Sequence, residues 1–131
     1  MIALDASALA DWLLQTPVRG PAVARHMLDA DGLGTLDLAW LEVASALRRK
    51  HLAGDLSVAR ARTALGRLEL APIRRYPAAP LLWRVWGLRD SHSAYDVAYV
   101  ALAEVLDVPL VTTDGALARS HGHRARVVHI A

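Results

Sequence analysis

The sequence contains no cysteine among its 131 residues, a single lysine and no long apolar run. The lack of cysteine excludes thiolate chemistry and zinc sites of the cysteine type, and it fits a reducing compartment. No segment approaches the roughly 18 apolar residues that span a bilayer. The N-terminus lacks the basic segment of a secretory signal and carries an acid at Asp5. We therefore expect a soluble cytoplasmic protein.

Charge is nearly balanced, because the formal net charge is only +2, and this excludes a simple polycation. The length and the apolar fraction of 54% suit one domain over residues 1–131 with a real core. Basic residues are nevertheless clustered, for example at 48–50 and 119–126. Such patches can hold phosphate backbones, although a solvated helix face is the more common explanation of any single cluster.

The most apolar predicted helix runs from Ser93 to Glu104 and is apolar almost all round, so it should be buried. Asp96 lies in its first turn, where a carboxylate is costly to desolvate unless a cation, a donor or the helix N-terminus compensates. Ser93 and Asp96 have capping-box spacing, although that box prefers Glu or Gln at its second position. Asp96 is therefore either a capping residue or a functional acid.

Two further acids follow predicted strands directly. Asp5 comes after the apolar segment 1–4, and Asp114 comes just beyond a β-prone segment at 110–112. In open parallel sheets, ligands bind at the carboxyl ends of the strands. The alternatives are a turn residue for Asp5 and an N-cap for Asp114. Ser7 is predicted to cap the helix that follows Asp5, although its hydroxyl could also orient that carboxylate.

Glu42 lies on a helix predicted to follow Asp37. The inward stripe of this helix has spacing i, i+3, i+4, i+7 and consists of Trp40, Val43, Ala44 and Leu47. Glu42 sits beside that stripe and has no basic partner at helical pairing distance. The sequence leaves two explanations open, which are a long-range salt bridge and a role in binding a metal or substrate.

The remaining pattern alternates strands and helices, which predicts an α/β fold with a parallel sheet. Further strands are predicted at 33–36, 69–73 and 126–130, and further helices at 22–30, 57–68 and 81–88. Trp83 and Trp86 are expected to pack in the core, with a partner-binding surface as the alternative. His121 and His123 are interpreted as surface histidines, because no third metal ligand is evident.

In such a sheet, Asp5 and Asp114 share one edge, and Asp96 and Glu42 can approach the same cleft from flanking helices. Four carboxylates in one cleft repel each other. This repulsion is relieved only if cations neutralise them or if some of them are protonated. Hard oxygen ligands without cysteine or histidine select Mg²⁺ or Mn²⁺. A site of this kind can activate water and stabilise charge on a phosphodiester.

Four segments carry a resemblance to a known family. They are 2–9 (IALDASAL), 41–47 (LEVASAL), 95–104 (YDVAYVALAE) and 109–118 (PLVTTDGALA). In this order and spacing, the chain resembles the PIN-domain family and, within it, the VapC-type toxins of bacterial toxin–antitoxin pairs. The resemblance covers nearly the whole chain. It implies a three-layer α/β/α fold with a short central parallel sheet flanked by helices.

The resemblance also implies a Mg²⁺-dependent endoribonuclease directed at single strands, in which Mn²⁺ can substitute. The matching site residues are the principal metal ligands Asp5 and Asp96, the further catalytic and metal-binding acids Glu42 and Asp114, and the supporting residues Ser7 and Thr112. Glu104 matches another family position. We interpret Glu104 as structural, because it lies about 12 Å beyond Asp96 along the helix axis.

The implied partners are an RNA substrate, a VapB-type antitoxin that covers the acidic cleft, and a second copy of the chain in a homodimer. Two alternatives remain open. The fold could serve a housekeeping RNA-processing enzyme or a DNA nuclease, or it could be a non-enzymatic receiver-like binding module. A receiver needs a lysine at the end of a late strand, and Lys50, within a helix, argues against it.

Overall fold

The computed structural model describes residues 1–131 and consists of strands that alternate with helices. The strands are β1 (Ile2–Leu4), β2 (Leu33–Leu36), β3 (Arg74–Tyr76), β4 (Leu110–Thr112) and β5 (Val127–His129). The helices are α1 (Ala6–Leu14), α2 (Arg19–Asp29), α3 (Ala39–Leu52), α4 (Val58–Leu70), α5 (Leu82–Gly87), α6 (Ala94–Leu106) and α7 (Gly115–Ala118), with a 3-10 turn at Ala79–Leu81. The predicted α/β class is confirmed.

The strands form one parallel sheet of 5 strands in the order β3-β2-β1-β4-β5. β1 is the central strand, and its register with β4 pairs Leu4 with Val111. The carboxyl ends of β1 and β4 are therefore neighbours. This register brings the residues that follow Leu4 and those that end β4 to the same point on the sheet edge.

Helix α6 packs across β1, β2 and β4 and supplies much of the core. Every residue from Val97 to Glu104 is buried, as the apolar run predicted. The helix ends at Asp107, which takes a left-handed conformation with φ 53°. Despite this apolarity, neither α6 nor any other helix has the length and hydropathy needed to cross a membrane.

Glu104 is the one charged residue buried along α6, and a bidentate ion pair satisfies it. Arg84 of α5 donates from Nε to Oε1 at 2.8 Å and from a terminal nitrogen to Oε2 at 2.9 Å. The backbone N–H of Arg124 donates to Oε2 at 3.2 Å. The hydrogen bond from Arg84 holds the pKa of Glu104 below its usual range. These contacts support the structural interpretation of Glu104.

Two predicted element boundaries are wrong. The segment 69–73 is not a strand, because α4 continues to Leu70 and the third strand begins only at Arg74. Ala64 and Leu68 extend a buried helical stripe, and Pro72 removes a backbone donor before the strand starts. The second helix begins at Arg19 rather than at residue 22, because proline is tolerated in a first turn.

The expectation that Trp83 and Trp86 pack in the core is also wrong. Their side chains are 81% and 59% exposed, and no residue of α5 is buried. The helix has only 6 residues and packs through Val85, which leaves the opposite side to solvent. The guanidinium of Arg89 lies 4.8 Å from the ring centroid of Trp86 and partly covers it. The alternative of a partner-binding surface therefore stays open.

The loop between α7 and β5 contains both predicted surface histidines. His121 is exposed, and its backbone N–H donates to Ser91 Oγ at 3.0 Å. His123 is half-buried, with Nε2 at 2.8 Å from Ser120 Oγ and Nδ1 accepting the N–H of Ala125 at 3.2 Å. His123 thus organises the backbone that leads into β5.

The Arg84→Gln substitution is expected to lower the free energy of unfolding by about 2 kcal/mol, because a buried carboxylate loses its charged donor. Urea unfolding followed by circular dichroism measures this change. The double variant with Arg84→Gln and Glu104→Gln should lose less free energy of unfolding than the two single variants together. The reason is that it no longer buries an unpaired charge. Additive losses would contradict the pairing.

Candidate active site

Asp5 lies directly after β1 and caps the N-terminus of α1. Its backbone is extended, with φ −88° and ψ 174°, and its Oδ1 accepts the N–H of Ala8 at 2.9 Å. The helix therefore begins at Ala6, and the prediction that Ser7 is the N-cap is wrong. The physical reason is that Asp5 already has the extended backbone of a capping residue, whereas Ser7 lies inside the first turn.

The hydroxyl of Ser7 orients Asp5 instead. Ser7 Oγ donates to Asp5 Oδ1 at 2.7 Å, and Thr112 Oγ1 donates to Oδ2 at 2.5 Å. The N–H groups of Thr113 and Asp114 donate in turn to these two hydroxyls. An ionised carboxylate offers about four acceptor positions, so one position on Oδ2 stays free. The carboxylate is thus fixed between β1 and β4 and keeps one lone pair for a ligand.

Burial raises the pKa of Asp5 to about 6, against an ordinary value of 3.8. The hydrogen bonds from Thr112, Ala8 and Ser7 lower the pKa, and the charge of Asp114 raises it further. The residue is only 4% exposed, so desolvation outweighs its donors. A negative charge at this position is therefore stabilised strongly by any cation that enters the site.

Glu42 lies in the first turn of α3 and contacts a tyrosine of α6. Tyr99 Oη donates to Glu42 Oε1 at 2.7 Å, and Tyr99 is 2% exposed. Burial, followed by this hydrogen bond, raises the pKa of Tyr99 far above its usual range, so the phenol stays a donor. Burial also raises the pKa of Glu42. The sequence left a long-range salt bridge open as one explanation of Glu42. In the structure, the partner of Glu42 is instead the hydroxyl of Tyr99.

Asp96 lies in the first turn of α6, near Glu42. Its backbone N–H donates to Ser93 Oγ at 3.3 Å, so Ser93 caps the helix. The Asp96 carboxylate accepts no hydrogen bond from the protein, so the reciprocal half of a capping box does not form. Its charge contributes to the raised pKa values of Glu42 and Tyr99. The geometry favours a functional acid over a capping one.

These three acids line a single open cavity of about 380 Å³. Most of the residues that line it are polar or charged, so the cavity suits a polar or charged ligand rather than an apolar one. The remaining polar residues of the lining are Ser7, Asp11, Arg19, Ser45, Arg49, Lys50 and Tyr99. The cavity therefore combines a cluster of carboxylates with three cationic side chains.

The fourth predicted acid, Asp114, does not line this cavity. It caps α7, where its Oδ1 accepts the N–H groups of Ala116 at 2.8 Å and Leu117 at 3.4 Å. It is still close enough to raise the pKa of Asp5, and Thr112 connects the two residues. No group of three or more His, Asp or Glu side chains has the spacing of a metal centre. The metal-binding and catalytic roles of all four acids stay predictions.

Sequence reasoning missed several residues of the cavity wall, among them Tyr99, Asp11 and Arg19. Tyr99 is hidden in the apolar run of α6, where a tyrosine gives no signal of its own. Asp11 lies six residues after Asp5 on a helix that reads as apolar, and its side chain is 13% exposed. An acid on an apolar helix is the signal that could have indicated it, as it did for Glu42.

Comparisons with known proteins identify the family of the chain. The PIN-domain family model matches residues 2–121. The chain is 40% identical to ribonuclease VapC12 of Mycobacterium tuberculosis over 131 residues, which is 100% of both chains. It is also 40% identical to ribonuclease VapC9 of the same species over 114 residues, covering 87% of this chain and 86% of that protein.

A solved structure has the same fold. The crystal structure of Mycobacterium tuberculosis VapC20, described as a toxin that cleaves the sarcin–ricin loop, superimposes with a TM-score of 0.71 at 18% identity. The match covers 95% of this chain and 99% of that one. PIN-domain ribonucleases of the VapC type are generally dependent on a divalent metal ion. The chain belongs to the PIN-domain family, among relatives that are VapC ribonucleases.

Proposed function

We propose that this protein is a metal-dependent endoribonuclease and acts as the toxin of a VapBC-type toxin–antitoxin pair. The observation that carries the proposal is the cavity itself, where Asp5, Glu42 and Asp96 meet without cysteine or histidine. A full-length relative at 40% identity is named a ribonuclease, which supports the same activity. The reaction is hydrolysis of an RNA phosphodiester bond.

The proposed cofactor is Mg²⁺, with Mn²⁺ as a substitute. The set of acids fits such an ion, because all of them offer carboxylate oxygens. Besides burial, the charge of Asp114 raises the pKa of Asp5, and the charge of Asp96 raises the pKa of Glu42. Mg²⁺ usually keeps several waters and takes only one or two carboxylates, so a tight cluster of three is not required. Asp5 and Asp96 would hold the ion. Glu42 and Asp114 would complete the binding site or attract the ion to it. When bound, the ion would lower the pKa of water and neutralise charge on the phosphodiester.

The side chains of the site have separable tasks. Ser7 and Thr112 hold the Asp5 carboxylate in one orientation, and its free lone pair on Oδ2 is the one available to a ligand. Tyr99 occupies Oε1 of Glu42, so Oε2 is free to accept a hydrogen bond or a proton from water. Burial raises the pKa of Glu42, which makes its carboxylate a better proton acceptor than an exposed one.

The alternatives make different predictions. A housekeeping RNA-processing enzyme or DNA nuclease would use the same carboxylates on a different nucleic acid. A receiver-like module would bind a metal without cleaving anything. Lys50 lies in the last turn of α3 and not at the end of a strand, which disfavours the receiver. Growth arrest on expression, relieved by the product of a small neighbouring gene, would favour the toxin.

The Asp96→Asn substitution is expected to reduce RNA cleavage about 100-fold or more while the fold is kept. The amide keeps the shape of the side chain but removes a charge that no protein donor satisfies. Purified protein is incubated with a mixed pool of tRNA, rRNA and mRNA in Mg²⁺, in Mn²⁺ and in EDTA. Discrete products that need the metal and vanish in the variant are the expected result.

Asp29→Asn is the matched control, because Asp29 is exposed at the end of α2, away from the cavity. It should cleave like the unmodified protein. Asp114→Asn tests the fourth acid cleanly, since asparagine is also a good N-cap for α7. Cleavage that persists in EDTA, or at full rate in Asp96→Asn, would overturn the proposal.

Without metal, the buried charge of Asp5 is expected to lower the free energy of unfolding. In EDTA, the folded protein binds more protons than the unfolded chain between pH 4 and 6, because the folded pKa is raised to about 6 from 3.8. The contribution of Asp5 to the free energy of unfolding therefore falls with rising pH across this window, by up to about 3 kcal/mol. At pH 7, the Asp5→Asn variant should therefore be more stable than the unmodified protein by up to that amount, less the hydrogen bonds that its amide nitrogen cannot accept.

Chemical unfolding at pH 4, 5, 6 and 7 in EDTA measures this difference. Adding Mn²⁺ at pH 7 should recover the lost stability in the unmodified protein and not in Asp5→Asn, because only the folded site binds the ion. The Asp29→Asn control should follow the unmodified protein at every pH. A difference between Asp5→Asn and the unmodified protein that does not vary with pH would contradict the buried-charge argument.

We further propose a VapB-type antitoxin as protein partner and a homodimer as the assembly. The exposed apolar side chains of α5, Leu82, Trp83 and Trp86, offer surface for such contacts. Sedimentation of the purified chain over a range of micromolar concentrations should show reversible self-association. A strictly monomeric chain would overturn the homodimer and leave the nuclease proposal untouched.

A further inference from the structure

The cavity that holds the acids also holds cations from two different helices. Arg49 and Lys50 reach it from the last turn of α3, and Arg19 reaches it from the first turn of α2. RNA is a polyanion, and four carboxylates of the lining repel it before any metal is counted. These acids are Asp5, Asp11, Glu42 and Asp96. Cations in the same cavity are therefore suited to attract the substrate strand.

One face of α3 carries both kinds of charge. Glu42, Ser45, Ala46 and Arg49 have spacing i, i+3, i+4, i+7, and all four line the cavity. Arg49 also donates to Ser45 Oγ at 3.4 Å, which turns its guanidinium back along this face. Seven residues separate Arg49 from Glu42, or about 10 Å along the helix axis. With its guanidinium beside Ser45, Arg49 reaches the cavity about one turn beyond Glu42, where it is suited to bind a phosphate next to the acids.

Arg48 is on a different face of the same helical turn. It lies about 120° around the helix from Glu42, whereas Arg49 lies within about 20°. Both arginines are exposed, yet only Arg49 lines the cavity. These two adjacent arginines have equal charge and lie only about 1.5 Å apart along the helix axis, but their side chains face different directions.

Arg19 is held at the cavity by the close approach of α2 to α1. A Cβ at Gly20 would lie 2.9 Å from the carbonyl oxygen of Asp11, so only glycine permits this packing. Val18, just before the helix, has φ 70°, a conformation that is rare for a β-branched residue. Arg19 Nε lies 3.4 Å from Asp11 Oδ2, and the arginine side chain stays 43% exposed. The guanidinium is oriented by Asp11 and still accessible to a ligand.

We propose that Arg49, assisted by Lys50 and Arg19, binds a phosphate that flanks the scissile bond of a single-stranded RNA. This subsite rests on the proposed nuclease function and adds the group that sets the register of the strand over the carboxylates. Arginine suits the task, because its guanidinium binds phosphate through paired donors. Arg49 positions the substrate and does not act on the reacting atoms.

The test compares Arg49→Gln with Arg48→Gln. Arg49→Gln should raise the KM for a short single-stranded RNA about tenfold and leave kcat nearly unchanged, because the contact is the same in ground and transition states. RNA binding in EDTA, where cleavage is blocked, should weaken by a similar factor. Its slope against the logarithm of salt concentration should fall by about 0.7, the loss of one phosphate contact on a single strand.

Arg48→Gln should leave the KM, the affinity in EDTA and the salt slope at the values of the unmodified protein. A substrate series in which one phosphate at a time is replaced by a neutral methylphosphonate then locates the contact. With the methylphosphonate at one flanking position, the affinity of the unmodified protein for the RNA should fall about tenfold. The affinity of Arg49→Gln should not fall further at that position. Arg19→Gln should give a smaller loss at the same position, because Asp11 already neutralises part of its charge.

Failure of the subsite and failure of the nuclease are distinguishable. If the unmodified protein cleaves RNA but Arg49→Gln and Arg48→Gln behave alike, the subsite is overturned and the nuclease stands. If no RNA is cleaved, the proposed function fails, and binding in EDTA still decides whether Arg49 contacts a phosphate. A decrease in kcat at unchanged KM in Arg49→Gln would also overturn the positioning role.

Discussion

The Asp5 carboxylate, held between Ser7, Thr112 and the N–H of Ala8, is the interaction that joins fold and site in this protein. It links the central strand β1, helix α1 and strand β4 through three hydrogen bonds while it is almost fully buried. Burial costs more than those donors return, which is why its pKa rises. The fold thus keeps, at the middle of its sheet, a carboxylate whose burial is not offset by its own hydrogen-bond donors.

The other acids differ in how many hydrogen bonds their carboxylates accept from the protein. Asp114 caps a helix through Oδ1 alone, Glu42 shares one oxygen with Tyr99, and the Asp96 carboxylate has no protein donor. The number of protein donors thus decreases from Asp5 to Glu42 and Asp96. The carboxylate with the most donors lies at the end of β1, and the one with none lies in the first turn of α6. Such an arrangement suits a cofactor that retains much of its own hydration.

Much of this could be predicted from the sequence. The all-round apolarity of α6, the strands before Asp5 and Asp114, and the helix of Glu42 are strong periodic signals, and the family motifs add to them. The segment 69–73 was ambiguous because a short apolar run fits a helix end as well as a strand. The exposure of Trp83 could not be read from a helix of 6 residues, whose pattern does not say which side meets the core. Ser7 was misassigned because one hydroxyl can serve as a cap or as a donor to a neighbouring acid.

The position of β4 beside β1 has a consequence for how the protein is made. The Thr112–Asp5 bond joins residues that are 107 positions apart, so the first and the last parts of the site meet only late in synthesis. A nascent chain that ends before β4 lacks both the hydroxyl that orients Asp5 and the strand that closes the sheet around it. The ribosome that translates this nuclease, and the message it reads, are therefore exposed to a completed site only when nearly the whole chain has emerged.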